Sequence, residues 1–535
     1  MRAPLAGERF DVAIVGGGIN GVAIARECAR GGKRTLLVEQ RDFASGTTSR
    51  STRIIHGGLR YLEHGELGLV RESLRERERM LRSYPHLVRP MRFVLAIPKD
   101  SRHKALAIRT GLWLYRTMAG LHPAARPAPV EALFEHAELA TFDYDDAQCE
   151  FPERLVAEWL AEAVAAGAVV RNHCRALEIT RSDGQVTGLV LRDALTGDEA
   201  RVAAGQVVNA TGPWADRFCA EAGVRTRDPL VGGIRGSHLV LRRFDGAPTS
   251  AVYTEAADGR SIFVIPWNGQ LLVGTTEERD PGDPGRSQPS VPEVAYLLDA
   301  ANRLFPRACL GAQDVVYTFA GVRPLPHTPN AEPSAITRRH IIHDHSDEGA
   351  RGLLSIIGGK LTTAASLAHE VAAKVGARHV VTPAPLIAPA PADGIFATLR
   401  QWAHQVSAIA QIPETSASAI AEWHGRSAMC VARLAASDEA FRRPLCPHSD
   451  HIVAEAVEAF RYECALTLGD VLLRRVPVAL GGCWDSECAR VAAERIGTAM
   501  GWDAVRVGRE LEDFEAERAA FLFKPATLSR PQRAA

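Results

Sequence analysis

Residues 56–63 read HGGLRYLE, which places His56 and Arg60 four residues apart around Gly57-Gly58, with Tyr61 next in line. An imidazole is the side chain best matched to proton transfer near neutral pH, and a guanidinium offers a planar fork to an oxyanion. Together they suit chemistry on an anionic substrate. The glycine pair lets a ligand approach the backbone. His56 is the first candidate for a general base and His238, in RGSHLVL, the second.

Such side chains need a frame. The stretch DVAIVGGGINGVAIARECARGGKRTLLVEQ reads as a βαβ unit. Asp11 to Val15 is a short β-branched run, as expected of a buried parallel strand. Gly16-x-Gly18-x-x-Gly21 then turns the chain into a helix ending near Gly31-Gly32, and Arg34 to Val38 makes a second strand with Glu39 at its end. Gly16 permits the tight turn, Gly18 lets the backbone approach a pyrophosphate, and Gly21 lets helix and strand pack closely. Unpaired N–H groups at the helix start, from about Asn20, favour that anion. Glu39 is placed to accept from ribose hydroxyls.

Thr47, Thr48, Ser49, Ser51 and Thr52 follow as a hydroxyl-rich loop suited to phosphate and ribityl oxygens. Two later segments look like flavin-contacting loops: NATGPW at 209–214, with Gly212 and Trp214, and IIGGKLTT at 356–363, with Gly358, Gly359, Leu361 and Thr362. Three cofactor-facing segments spread over the chain mean a nucleotide domain interrupted by insertions. That pattern points to FAD rather than NAD.

At 535 residues the chain is long enough for two or three domains. Lys+Arg and Asp+Glu balance at 63 each, which argues against a general nucleic-acid binder. With ten residues before the first strand, no secretory signal or presequence is expected, and no stretch approaches the roughly 20 apolar residues of a spanning helix. Ten scattered cysteines fit a reduced cytosolic setting. Cys483 and Cys488 are the closest pair, and with no matching second pair no metal is expected. HDHS at 343–346 resembles metal ligands in outline but reads as a strand ending in a turn.

Taken in order, GGGINGVAIA, TTSRSTRIIHGGLRYLE, NATGPWAD, RGSHLVL, FVIPW, LLVGTTE, GVRPL, AITR and GGKLTT resemble the FAD-dependent, aerobic respiratory glycerol-3-phosphate dehydrogenases over residues 8 to 370. The resemblance implies oxidation of glycerol 3-phosphate to dihydroxyacetone phosphate, by hydride transfer from C2 to flavin N5, with electrons passed to a membrane quinone. It implies an α/β multidomain fold: a glutathione-reductase-type FAD-binding Rossmann domain (8–85, 150–215, 345–380), a mostly antiparallel-sheet substrate domain (86–149, 216–344), a linker (382–394) and an α-helical C-terminal domain (395–535). Runs at 186–192, 237–243, 262–266 and 270–275 fit the substrate sheet.

The same resemblance makes Arg60, Arg323, Arg338 and Lys360 the cations of the site. Arg323 and Arg338 belong near phosphate or substrate oxygens, and Lys360 near flavin N1/O2 or the substrate. Tyr61 either hydrogen-bonds substrate or flavin, or packs. Arg53 stands where lysine is common, and QCEFPERLV (148–156) replaces an acid-rich stretch, which leaves a role for acids there in doubt.

Residues 97–126 carry six basic residues against Asp100. Within them ALAIRTGLWLYRTMAGL suits a helix lying on an anionic membrane surface, with Trp113 and Tyr115 at headgroup level; a helix packed on the core is the alternative. The expected setting is cytoplasmic, at the inner face of the cell membrane, with a homodimer left open. The charged run 71–82 reads as a helix with Leu67, Val70, Leu74 and Leu81 as its apolar stripe and a solvated remainder. Rival readings are a soluble glycerol-3-phosphate oxidase using dioxygen, an FAD-dependent amine or amino-acid oxidase, and a flavin-binding regulatory protein.

Overall fold

The computed structural model describes residues 4–62, 65–98, 105–120, 139–378 and 395–523. Its nucleotide sheet runs, in spatial order, Ile341–Asp344, Leu353–Ile357, Glu199–Asn209, Arg9–Val15, Thr35–Val38 and Val169–Arg171. All neighbours but the first pair are parallel. The register aligns Val15 with Val38 and Asn209, and Asn209 with Ser355. The loops that follow these strands therefore leave one edge together, the carboxyl edge where ligands bind in open α/β sheets. Helices Ile19–Arg30, Pro152–Ala165 and Ala364–Lys374 share one apolar cluster with the sheet, through residues such as Val22, Leu155 and Leu367.

A second sheet stands over that edge. Its order is Glu278–Arg279, Ile234–Leu241, Gln270–Gly274, Ser261–Trp267, Ala251–Glu255, Val88–Pro98, Leu139–Cys149 and Ile54–Ile55, with Val315–Arg323 also paired to Ile234–Leu241. It is antiparallel except where Ala251–Glu255 meets Val88–Pro98. Ile262, Val264, Leu271 and Val273 bury one face against Val294, Leu297 and Ala301 of helix Val291–Leu304.

The C-terminal region is helical, with Ile395–Ala410, Glu414–His424, Ala428–Ser437, Val453–Tyr462, Ser486–Met500 and Ala504–Arg518 as its main elements. Buried polar contacts lock it to the rest. Arg475 donates two bonds to Asp42, at 2.6 and 2.8 Å, and Arg474 contacts the same carboxylate. Arg154 bonds Glu463 at 2.7 Å. Tyr317 donates to the Gly481 carbonyl at 2.6 Å. Breaking a buried pair such as Asp42–Arg475 leaves an unpaired charge and costs about 3–5 kcal/mol.

Some boundaries differ from expectation. The run 186–192 lies in strand Gln185–Asp193, which pairs with Cys174–Ser182 and Glu199–Asn209 in the nucleotide sheet, not the substrate sheet. Alternating hydrophobicity marks a half-buried strand without saying which sheet accepts it. Ile341–Asp344 joins the nucleotide sheet ahead of the boundary at 345, and Ile54–Ile55 joins the substrate sheet. The linker 382–394 and much of 97–126, including Lys99, Arg102, Lys104 and Arg126, lie outside the described residues.

Candidate active site

The two sheets enclose a cavity of about 610 Å³, lined from Gly16 and Glu39 at one end to Arg323, Arg338 and Lys360 at the other. At the nucleotide end the wall is backbone. Gly16 has φ +108° and a Cβ there would lie 2.5 Å from the Ala210 carbonyl oxygen; one on Gly21 would lie 1.8 Å from the Gly16 oxygen. These glycines bring strand, turn and helix together as closely as backbones allow. Gly18 caps helix Ile19–Arg30 with no side chain of its own, and the backbone of the helix start lines the cavity as an anion site.

Glu39 accepts from Gly17 N at 2.7 Å and Arg41 N at 2.9 Å, which fixes its carboxylate at the end of the second strand. Burial pushes its pKa up against those bonds. The hydroxyl-rich stretch contains a single 3₁₀ turn, Thr47–Arg50. Thr48 Oγ1 accepts from Ile19 N at 3.1 Å and Thr47 Oγ1 donates to the Val322 carbonyl at 2.9 Å, so the turn ties the cofactor helix to the substrate sheet. Ser49, expected on the cofactor, turns inward and donates to the Ala44 carbonyl at 2.6 Å.

Gly212 and Trp214 line the same end. Gly358, Gly359, Leu361 and Thr362 line the middle; both glycines have positive φ, and a Cβ on Gly359 would meet Asn20 Nδ2 at 2.4 Å. Asn20 donates to the Gly358 carbonyl at 3.4 Å while its Oδ1 is buried and unbonded. A bare amide turn, an acidic strand end and an acceptor awaiting a donor fit a dinucleotide with a hydrogen-bonding ring system.

At the far end the wall is charged. Arg323 donates to Thr275 Oγ1 at 3.1 Å and to the Thr276 carbonyl at 3.4 Å; Arg338 donates to Glu277 at 2.8 Å. Three consecutive residues thus hold both guanidiniums on one wall. Gly236 makes room for this: a Cβ there would lie 2.4 Å from Arg323 Nη2. Lys360 donates to Ser73 Oγ at 3.0 Å and lies 4.3 Å from the centre of the Tyr61 ring. Tyr61 therefore packs as a cation-binding face at the cavity wall. Burial, with Arg338 nearby, pulls the Lys360 ammonium down to about 7. The Arg60 side chain lies outside the described residues.

The two histidines differ. His56 lines the cavity, and among the described residues no hydrogen bond holds its ring; burial, aided by Lys360 and Arg77, pushes it down to about 3. His238 is 2% exposed, stacks on Phe319 and shares a 3.0 Å bond between Nε2 and Thr52 Oγ1. Burial and Arg323 push it down to about 3 as well. Both are neutral at physiological pH, the form that can accept a proton.

The loop that carries His56 rests on Arg77 and Asp146, which carry no sequence signal, and on Tyr115 and Thr362, expected in other roles. Gly57 N donates to Tyr115 Oη at 2.8 Å, Tyr115 donates to Asp146 at 2.7 Å, and Arg77 bonds Asp146 at 2.6 Å. His56 N donates to Thr362 Oγ1 at 3.2 Å. Tyr115 is thus buried at 1% exposure rather than at a surface, and Arg116 bonds the Asp143 carbonyl at 2.6 Å; Leu106, Arg109 and Trp113 face outward on helix Ala105–Met118. The run 71–82 is not merely solvated, since Ser73, Glu76 and Arg77 are buried, whereas Leu67 of its expected stripe is 48% exposed. Arg53 is buried and donates two hydrogen bonds to Glu153, at 2.9 and 3.0 Å, which gives the acids of 148–156 a structural part. HDHS closes strand Ile341–Asp344 in a turn, with His343 and His345 both on Glu348.

Comparison with known proteins agrees with this geometry. Residues 11–365 match the family model of FAD-dependent oxidoreductases, and residues 354–507 the model described as the C-terminal domain of alpha-glycerophosphate oxidase. The molecule is therefore a flavoprotein oxidoreductase with FAD as its cofactor. A glycerol-3-phosphate dehydrogenase of Synechocystis sp. is 38% identical over 494 residues, covering 88% of this chain and 89% of the relative. One of Pseudomonas aeruginosa is 40% identical over 379 residues, covering 69% of this chain and 72% of the relative. A crystal structure of the Bacillus halodurans glycerol-3-phosphate dehydrogenase complexed with FAD superposes with a TM-score of 0.77 at 25% identity, covering 98% of this chain and 97% of that one. The chain belongs to the FAD-dependent glycerol-3-phosphate dehydrogenases.

Proposed function

We propose that the chain oxidises sn-glycerol 3-phosphate to dihydroxyacetone phosphate and passes the electrons to a membrane quinone at the inner face of the cell membrane. The observation that carries this reading is the convergence of Arg323, Arg338, Lys360 and a neutral His56 on one cavity with the flavin-binding backbone. When bound, FAD supplies the acceptor for the C2 hydride at N5. Gly16, Gly18, Glu39, Thr48 and Asn20 would hold its dinucleotide and ring edges. Arg323 and Arg338 receive the phosphate dianion on a wall whose geometry is fixed before substrate arrives. Lys360, near Arg338, adds a third positive charge to the cavity lining below about pH 7.

His56 takes the proton of the C2 hydroxyl. His238, enclosed and already engaged by Thr52, holds that side of the cavity in place. Leu106 at 75% and Trp113 at 67% exposure, with Arg109 between them, form the face that meets an anionic lipid surface. Among the described residues no helix is long and apolar enough to cross a membrane.

A second reading, with dioxygen as acceptor, is favoured by the match of residues 354–507 to an oxidase C-terminal domain. Anaerobic mixing with glycerol 3-phosphate should bleach the flavin, and a quinone should restore the colour faster than dioxygen does. Faster recovery with dioxygen and stoichiometric peroxide would establish the oxidase. Colour that persists with glycerol 3-phosphate but fades with an amine would overturn the substrate assignment.

A further inference from the structure

Far from the flavin cavity, the C-terminal domain gathers a set of soft ligands. Cys446 and His448 sit in a short loop closed by the Pro444–Ile452 bridge and by the bond from Leu445 N to the His451 carbonyl at 2.7 Å. Cys488 lies in the first turn of helix Ser486–Met500, where Asp485 accepts its amide at 2.8 Å. Loop and helix are tied by Arg495, which donates to the Pro444 carbonyl at 2.5 Å. This brings Cys446 Sγ, a His448 ring nitrogen and Cys488 Sγ within 4.8 Å of one another.

The spacing is compatible with a tetrahedral metal as well as with a thiol–imidazole hydrogen bond. Zinc–sulfur and zinc–nitrogen bonds of about 2.3 and 2.0–2.1 Å at a tetrahedral angle set sulfur and nitrogen about 3.6 Å apart. Cys488 Sγ and His448 Nδ1 stand 3.6 Å apart. Cys483 is a neighbour of the group through its backbone: Cys488 Sγ donates to its carbonyl at 3.7 Å, while its own sulfur lies outside the cluster. Cys446 and Cys488 are buried while His448 and Cys483 are exposed, so the cluster has a dry base and an open entry.

We propose that Cys446, His448, Cys483 and Cys488 form a structural zinc site. Two cysteine thiols and one imidazole are preplaced, and the exposed Cys483, whose sulfur stands outside that group, completes the tetrahedron by swinging its side chain in. Binding releases the thiol protons to solvent and leaves the metal with thiolate and neutral imidazole ligands. The site would staple the 444–452 loop to the helix start. It would also pin residues 480–483, whose Leu480 carbonyl accepts from Asn268 and Gln270 of the substrate sheet at 3.1 Å. The cluster was illegible in sequence because its two halves, C-x-H and C-x₄-C, lie 34 residues apart and neither spacing is that of a paired zinc motif.

The test is elemental analysis of the flavin-loaded full chain after growth with zinc and dialysis against metal-free buffer. One zinc per chain is expected, with loss of that zinc in His448→Ala and Cys488→Ser, and retention in Cys309→Ser, a distant exposed thiol. Cobalt(II) given to the zinc-stripped protein should produce a thiolate-to-metal charge-transfer band and tetrahedral d–d bands, weakened in Cys483→Ser. Because His448 is exposed, its variant should keep the wild-type flavin spectrum and far-UV circular dichroism. Absence of zinc together with failure to take up zinc or cobalt overturns the proposal. So does zinc retained in both His448→Ala and Cys488→Ser, or a Cys446–Cys488 disulfide in the freshly purified protein.

Discussion

At its nucleotide end the cavity has a floor of close-packed glycine backbone, with Glu39 fixed at a strand end; at its far end Arg323, Arg338 and Lys360 stand in the wall, each held by a partner of its own. The first arrangement suits a large ligand that stays. Amides at a helix start bind a pyrophosphate without having to move, and glycine keeps side chains out of the way. The second suits a small ligand that comes and goes. Arginines braced by residues 275–277 attract a dianion without reorganising for it, and His56 is left unbonded for the proton.

If the nucleotide end works by close-packed backbone, one methyl group should be enough to destroy it. Gly16→Ala combines φ +108° with a Cβ 2.5 Å from the Ala210 carbonyl oxygen, so the purified variant should be colourless and inactive, as absorbance will show. At the far end the largest loss belongs to a braced cation. Arg323→Ala should keep its flavin but lose about two to three orders of magnitude in kcat/KM, consistent with about 3–4 kcal/mol for truncating a buried charged contact. Wild-type rates of anaerobic flavin reduction in this variant would remove Arg323 from the substrate wall.

Tyr115→Phe removes the hydroxyl that links Gly57 N to Asp146 and should lower the bleaching rate about tenfold, the value of one hydrogen bond in a charged network, with flavin content unchanged. The pH dependence separates the two bases. Lys360, depressed to about 7, carries its charge below that pH and loses it above, so affinity for a phosphate-bearing inhibitor should fall as pH rises through 7, and Lys360→Met should flatten the curve. His56, at about 3, should contribute no inflection near neutrality. Smallest of all, Trp113→Ala should leave flavin reduction untouched and weaken binding to anionic vesicles several-fold in a flotation assay.

The same contrast explains what could be read from the chain. Gly16, Gly18, Gly21 and Glu39 fall in one window of 24 residues, so strand, turn, helix and acid could be recognised together. The far end is assembled from positions 56, 323, 338 and 360, which only the resemblance to a family brought together. Its supports were missed for physical reasons. Helical periodicity identifies an average apolar face, and it cannot say that Ser73 and Arg77 lie where the helix passes under Lys360 and Asp146. Tyr115 reads equally as a headgroup or a core residue, because an aromatic in a basic stretch looks the same in sequence whether it meets lipid or a buried carboxylate. The run 186–192 was a strand as expected, but sheet membership is decided by partners distant in sequence.

Asp42 gives the fold a temporal consequence. It stands five residues before Thr47, in the segment that leads into the cofactor-binding turn, yet its carboxylate is held by Arg474 and Arg475, more than 430 positions later. On a ribosome those partners emerge more than 430 residues after Asp42. The segment leading into the flavin loop is thus among the first made, yet its buried carboxylate stays without these two arginines until most of the chain has been made.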